Sequence, residues 1–238
     1  MQRLGIIGSG RIGSAVARLA VAAEIHVVVA NSRGPESLAD FIAELGLLAS
    51  AGSVRDAAEA GDLVLLSVPL TAYAAIPTEG LQGKTMLDTS NYYPFRDGRV
   101  PQLDSHGVTT SELVQAHFDG VPLVKAFNNI MSHHIPQLAR PVGAADRSAL
   151  PIASDDEVAK AEAAALIDRI GFDTVDVGLL VDSWKFEPES DAYTQLYLAD
   201  PDTPMERMPE APSAPVPATK LQAALARAGR VRVADRKF

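Results

Sequence analysis

A chain of 238 residues with 47% hydrophobic content can hold one α/β domain, a smaller appendage and a full-sized core. Its formal charge of −9, from 21 basic against 30 acidic residues, leaves no broad basic surface, so nucleic acid is not expected as a partner. With no cysteine, disulfides, thiolate catalysis, iron–sulfur clusters and cysteine-type zinc sites are excluded.

In chain order, apolar β-branched runs at 3–7, 25–30, 47–49, 63–68, 85–88 and 123–126 predict strands. Helical stretches between them lie at 11–22, 35–45, 54–60 and 111–118. This alternation is the pattern of a parallel sheet covered by helices, and the nearly all-apolar runs 25–30 and 63–68 suit strands buried on both faces. A later unit repeats it: a strand at 150–153, a helix at 156–170 with Ser154 and Asp155 as caps, and a strand at 174–177. Residues 200–218 then carry Pro201, Pro204, Pro209, Pro212, Pro215 and Pro217, which suits an extended arm rather than a helix or central strand. A short helix at 219–228 follows, stopped by Gly229, with Leu221 and Leu225 on one side to dock on the main domain or a partner subunit. Met1 runs straight into the first strand without a signal-peptide pattern, and the apolar stretch 12–30 is broken by Arg18, Glu24 and His26. A soluble, cytoplasmic protein with no membrane partner is expected.

Gly8-Ser9-Gly10-Arg11-Ile12-Gly13 matches G-x-G-x-x-G between a predicted strand and a predicted helix. In that setting Gly8 allows a tight turn, Gly10 lets the backbone approach a pyrophosphate, and Gly13 lets the helix pack on the strand. The helix N-terminus, with Ser9, Arg11 and Ile12 beside it, offers unpaired N–H groups to a diphosphate. About 20 residues beyond the glycines, NAD enzymes place an acidic residue on the ribose diol. This chain has Asn31-Ser32-Arg33 instead. The missing carboxylate removes repulsion against a 2′-phosphate, and Arg33 offers a charged fork, with hydroxyls at Ser32 and Ser37. NADP(H) is therefore expected over NAD(H). The fold class that follows is α/β: a Rossmann-type doubly wound parallel sheet with a small C-terminal α/β extension and a Pro-rich arm ending in a short helix. The expected division is an NADP-binding domain at 1–122, a smaller α/β part completing the second-substrate cleft at 123–180, and the arm with its helix at 181–238.

The rest of the cofactor is expected along the carboxyl ends of the strands. Ser67, Val68 and Pro69 would line its ribose or adenine side, although Pro69 equally suits the start of a turn. Asn91, after Asp88-Thr89-Ser90, would meet the nicotinamide side; Asp88 and Ser90 suit helix-capping as well. Beyond the sixth strand, Ala126 and Asn128 are candidates for holding the carboxamide, through an amide or side chain, while His133 or His134 would face the second substrate. Adjacent helical histidines cannot both enter one pocket. A metal site is not expected, since H-x-x-x-H spacing is absent. His133, Tyr92 and Tyr93 are the available proton donors, and Trp184-Lys185-Phe186 either walls the pocket or anchors the arm.

The glycine loop, Asn31-Ser32-Arg33-Gly34-Pro35-Glu36-Ser37-Leu38, Asp88-Thr89-Ser90-Asn91 and Lys125-Ala126-Phe127-Asn128 together resemble the NADP-oxidoreductase, coenzyme F420-dependent family, over residues 1–178. The resemblance implies a deazaflavin co-substrate stacked on the nicotinamide, hydride transfer between the two rings, and a homodimer. His133 and Asn128 are the candidate catalytic residues. Residues 201–238 depart from the family's compact ending. Two other readings remain: an NADPH-dependent reductase of a small carbonyl, imine or flavin, and a non-catalytic NADP(H)-sensing protein. Imine reductases and β-hydroxyacid dehydrogenases share the first motif, but their long helical C-terminal domain has no counterpart in the proline-broken residues 181–238.

Overall fold

The computed structural model describes residues 2–233. Six strands form the main sheet: β1 (Arg3–Ile7), β2 (His26–Ala30), β3 (Ala49–Ala51), β4 (Leu63–Leu66), β5 (Thr85–Asp88) and β6 (Leu123–Lys125). They lie in the order β3-β2-β1-β4-β5-β6, and every pairing is parallel. The chain winds outward from β1 to β3, then crosses to β4 and winds the other way. That reversal opens a crevice at the carboxyl ends of β1 and β4, where a doubly wound sheet binds its ligand. Helices α1 (Arg11–Ala22), α2 (Ala39–Leu45), α3 (Val54–Ala60), α4 (Pro94–Asp97), α5 (Pro101–Asp104) and α6 (Thr110–His117) return the chain between strands. Capping boxes start α3 at Ser53/Asp56 and α6 at Thr109/Glu112.

β6, placed by the sequence reading in the second segment, hydrogen-bonds to β5 as the last strand of this sheet. After α7 (His134–Leu138), β7 (Ala149–Ile152), α8 (Glu157–Arg169) and β8 (Asp173–Asp176) form a second parallel pair, joined to β6 by the Lys125–Ala153 bridge. One apolar core serves both parts: Leu87, Val124 and Phe127 cluster with Leu150, Ile167 and Phe172. The terminal helix α9 (Ala218–Arg227) presses Leu221 and Ala224 into that same core, with Leu225 half-buried beside them. It therefore docks on the main body.

Several boundaries differ from expectation for local reasons. The run 35–45 opens as a 3₁₀ turn, Pro35–Leu38, before α2 begins, and the third strand lies at Ala49–Ala51 rather than 47–49 because Leu48 and Gly46 serve the turn. Strand β4 stops at Leu66, and the Ser67 amide makes a last bond to the Ile7 carbonyl of β1 at 2.8 Å before the chain turns at Val68 and Pro69. The cap of α8 is Asp156, which accepts from the Ala159 amide at 2.9 Å. Ser154 instead ties this segment to β6 through the Leu123 carbonyl, and Asp155 accepts from the Leu180 amide. Helices α4 and α5 each begin on a proline, which has no N–H to lose at a first helical position. The expected arm at 181–238 is only partly extended. Its first part folds into 3₁₀ turns at Leu180–Phe186 and Thr194–Tyr197 that bury Phe186 and Tyr197 in the core. The proline-rich part carries a further one at Met205–Glu210 and is pinned by the Leu198–Ser213 bridge.

Candidate active site

The loop between β1 and α1 is built by backbone proximity. Gly8 sits at φ 112°, and a Cβ there would stand 2.0 Å from the Ser67 carbonyl oxygen; at Gly13 it would stand 2.0 Å from that of Gly8. Both glycines are thus required by the fold itself. Gly10 is different: a Cβ there would meet nothing within 4 Å. Its open face is the space a diphosphate would fill. The first intrahelical bond runs from the Ser14 amide to the Gly10 carbonyl, leaving the amides of Arg11, Ile12 and Gly13 without an intrahelical acceptor. No acidic side chain sits in that first turn, so the positive end of the helix dipole faces the loop unopposed.

Beside the loop lies a groove of about 490 Å³, lined by Ser9, Asn31, Ser32, Arg33, Ser67, Val68 and Pro69. Asn31 organises its far end. Its Oδ1 accepts from the Arg33 amide at 2.9 Å, and its Nδ2 donates to Ser9 at 3.2 Å and to Ser37 at 2.9 Å. Ser37 also donates to the Gly34 carbonyl, so it braces the turn and does not line the groove. Arg33 is exposed, and its guanidinium makes no ion pair among the described residues.

A second cleft, of about 340 Å³, begins at Arg11 and Ile12 and runs past Thr89, Asn91, Phe127 and Asn128. Phe127, the second residue after β6, takes φ 60°, a left-handed conformation that costs a non-glycine residue energy and that redirects the chain to present Asn128. Asn128 donates to the Phe186 carbonyl at 2.9 Å and to Asn91 Oδ1 at 3.1 Å. Its own buried Oδ1 has no hydrogen-bond partner. Asn128 lines the cleft, and its buried, unpartnered acceptor makes it the candidate for a carboxamide N–H there. Ala126 takes no such part: it is fully buried, outside the cleft lining, and its amide donates to the Asp88 carbonyl.

His133 and His134 meet the same acceptor. Their Nε2 atoms lie 3.1 Å and 2.9 Å from the Ala211 carbonyl on the arm, with the rings 4.1 Å apart. His133 lines the cleft, while His134 is buried and its basicity is pushed down by burial, against the opposing hydrogen bond to Ala211. The pair fastens the arm. Of the proposed donors, Tyr92 is buried away from the cleft, with its hydroxyl against Gly98, Val100 and Asp104. Tyr93 is in the cleft, where its hydroxyl contacts that of Tyr193. Trp184 lies outside the cleft lining, near Lys185 and Arg230, whereas the Phe186 carbonyl holds Asn128.

Sequence reasoning missed the outer wall. It comes from Tyr193, Thr194, Met205, Met208 and Pro209, contributed by the C-terminal segment. The available signal was the spacing of three between the methionines, which puts them on one side of a 3₁₀ turn. Behind the cleft, Asp88 accepts from Ser111 at 2.6 Å and from the Ser90 amide at 3.0 Å. The fully buried Lys125 donates to the Ser90 carbonyl and to Ser111, with Glu187 at 3.9 Å. This buried network fixes the turn that carries Asn91. Among the described residues, no group of three or more His, Asp or Glu side chains could hold a metal ion, and no helix is long and apolar enough to cross a membrane.

Comparison with known proteins agrees with this arrangement. No curated protein matches the sequence. Among solved structures, the hypothetical protein SMa0349 of Sinorhizobium meliloti is 32% identical, with 79% of this chain and 91% of that one covered at a TM-score of 0.70. A candidate F420-dependent NADP reductase of Arthrobacter sp. FB24 is 22% identical over 77% of this chain and 87% of its own, at a TM-score of 0.64. An imine reductase variant of Myxococcus stipitatus, solved with NAD+, shares the fold at 19% identity, with 76% of this chain and 56% of that one covered at a TM-score of 0.53. Residues 3–92, from β1 to the edge of the second cleft, match the family described as NADP oxidoreductase, coenzyme F420-dependent. The doubly wound sheet, the glycine loop and this match show that residues 3–92 are built as the dinucleotide-binding part of the NADP oxidoreductase, coenzyme F420-dependent family.

Proposed function

We propose that this protein transfers a hydride between NADP(H) and a deazaflavin of the coenzyme F420 type. The observation that carries the reading is the unpartnered Oδ1 of buried Asn128 in the wall of a cleft that starts at the diphosphate loop. It fits the carboxamide of a nicotinamide ring. The open face of Gly10 and the free amides of α1 fit the diphosphate, and Arg33 with Ser32 fits a 2′-phosphate. When bound, the nicotinamide supplies or takes up the hydride; the chain holds it at contact distance from the acceptor and keeps water out. Ile130, Met131, Met205 and Met208 give the cleft an apolar wall suited to a flat ring, since thioethers pack well on aromatic systems. Following the resemblance, we take the active form to be a homodimer, which light scattering would test.

The test is direct: mix the protein with NADPH and oxidised coenzyme F420 and follow the visible band of the deazaflavin. A saturable, protein-dependent loss is expected. Persistence of the band while NADPH binds would overturn the acceptor assignment. A second reading, reduction of a small carbonyl or imine, is favoured by the two tyrosine hydroxyls in the cleft, because such substrates need a proton donor.

A further inference from the structure

We propose that Tyr193, backed by Tyr93, donates the proton that accompanies the hydride to the acceptor. The inference rests on the hydride-transfer reading above and deepens it by requiring an acceptor whose reduced double bond ends in oxygen or nitrogen. Tyr93 lies just before α4 and Tyr193 just before the 3₁₀ turn Thr194–Tyr197, a separation of 100 residues, yet their hydroxyls are in hydrogen-bond contact inside the cleft. Asn91 Nδ2 donates to the Tyr193 oxygen at 3.1 Å and approaches that of Tyr93 at 3.4 Å. The same Nδ2 donates to the Asn128 carbonyl at 2.7 Å, and Asn91 Oδ1 accepts from Asn128 at 3.1 Å. One asparagine therefore ties the hydroxyl pair to the residue that fits the nicotinamide carboxamide. The hydroxyl pair and the residue that fits the carboxamide thus share one part of one cleft.

The chemistry balances. As hydride reaches the acceptor carbon, a C–H bond forms there and a nicotinamide C–H bond breaks. The displaced π-electron pair collects on the acceptor oxygen or nitrogen. The O–H bond of Tyr193 breaks, a bond from that heteroatom to hydrogen forms, and a phenolate remains. Hydrogen bonds from Asn91 and Tyr93 stabilise this phenolate, and both are strengthened because Tyr193 is 95% buried (5% exposed). The Arg96 guanidinium, 4.7 Å above the Tyr93 ring, adds positive charge beside the pair, tempered by its own salt bridge to Asp97. The proton held between the hydroxyls then passes to Tyr193, and water reprotonates Tyr93. His133, which also lines the cleft, has its Nε2 on the Ala211 carbonyl.

The experiment compares wild type, Y193F and Y93F, each first shown by fluorescence titration to bind NADPH. Turnover is measured with oxidised coenzyme F420 and, in a parallel arm, with a cyclic imine. Y193F is expected to lose about 10²–10⁴-fold in kcat, as for a general acid, with NADPH affinity within about twofold, and Y93F is expected to lose less. Wild type should show a solvent deuterium isotope effect on kcat. In a readout free of turnover, ¹³Cζ-tyrosine NMR of the NADP+ complex should show the Tyr193 resonance moving when the oxidised acceptor is added. Wild-type kcat in Y193F, or a stationary Tyr193 resonance beside a bound acceptor, would overturn the inference while leaving hydride transfer intact. Absence of turnover with both acceptors in wild type would instead overturn the reading it rests on, and the inference with it.

Discussion

Replacing Arg33 by alanine isolates the 2′-phosphate contribution to cofactor affinity. The Arg33 backbone is held by Asn31 Oδ1 at 2.9 Å, so the turn should survive loss of the side chain. The guanidinium makes no ion pair among the described residues, so its removal leaves no protein carboxylate unpaired. A hydrogen bond to a charged group contributes about 1.5–3 kcal/mol. Arg33 is exposed, and solvent screening places it at the lower end, about 1.5–2 kcal/mol, or about a 10–30-fold rise in Kd for NADPH. NADH has no 2′-phosphate, so its affinity should change less than about twofold. Isothermal titration with both dinucleotides, at low and high salt, gives the two ratios directly. The NADPH penalty should shrink as salt rises. Equal weakening of NADPH and NADH would refute the electrostatic reasoning, because the side chain would then act on the shared part of the molecule.

Two further expectations concern the fold around the cleft. Leu221 of α9 is fully buried in the main core, so Leu221→Ala should lower unfolding free energy by about 2–5 kcal/mol; a denaturant midpoint within error of wild type would mean that the helix does not dock as described. Burial depresses the basicity of His134 in the folded state, so below its ordinary value the unfolded chain binds the extra proton first. The stability it contributes is complete above about pH 6.5 and is lost as pH falls through the depressed folded value. The melting temperature should therefore fall on acidification more steeply in wild type than in His134→Gln, and parallel slopes would contradict this.

Much of the sheet was legible because its signals are local. The runs 3–7 and 85–88 and the helices 11–22 and 54–60 stand where periodicity and the glycine loop put them. The groove beside that loop likewise gathers Ser9, Asn31, Ser32, Arg33, Ser67, Val68 and Pro69, each of which follows from strand ends in a doubly wound sheet. The cleft beyond was only half legible. Asn91 and Asn128 follow strand ends too, but Tyr193, Met205 and Met208 reach the site through an arm whose docking no spacing rule predicts. Its path depends on long-range contacts such as the two histidines on the Ala211 carbonyl. The short helices that start on Pro94 and Pro101 have no counterpart among the predicted elements, because four residues carry too little periodicity to read.

On the reading above, a bound nicotinamide dinucleotide lies against the bare backbone of Gly10. Calorimetric titration of NADPH into wild type and Gly10→Val tests it most directly, with thermal melting run on both. A Cβ at Gly10 meets no protein atom within 4 Å, so the variant should melt with wild type yet give no binding heat, while wild type saturates. Silence from wild type, or undiminished affinity in the variant, would contradict the account.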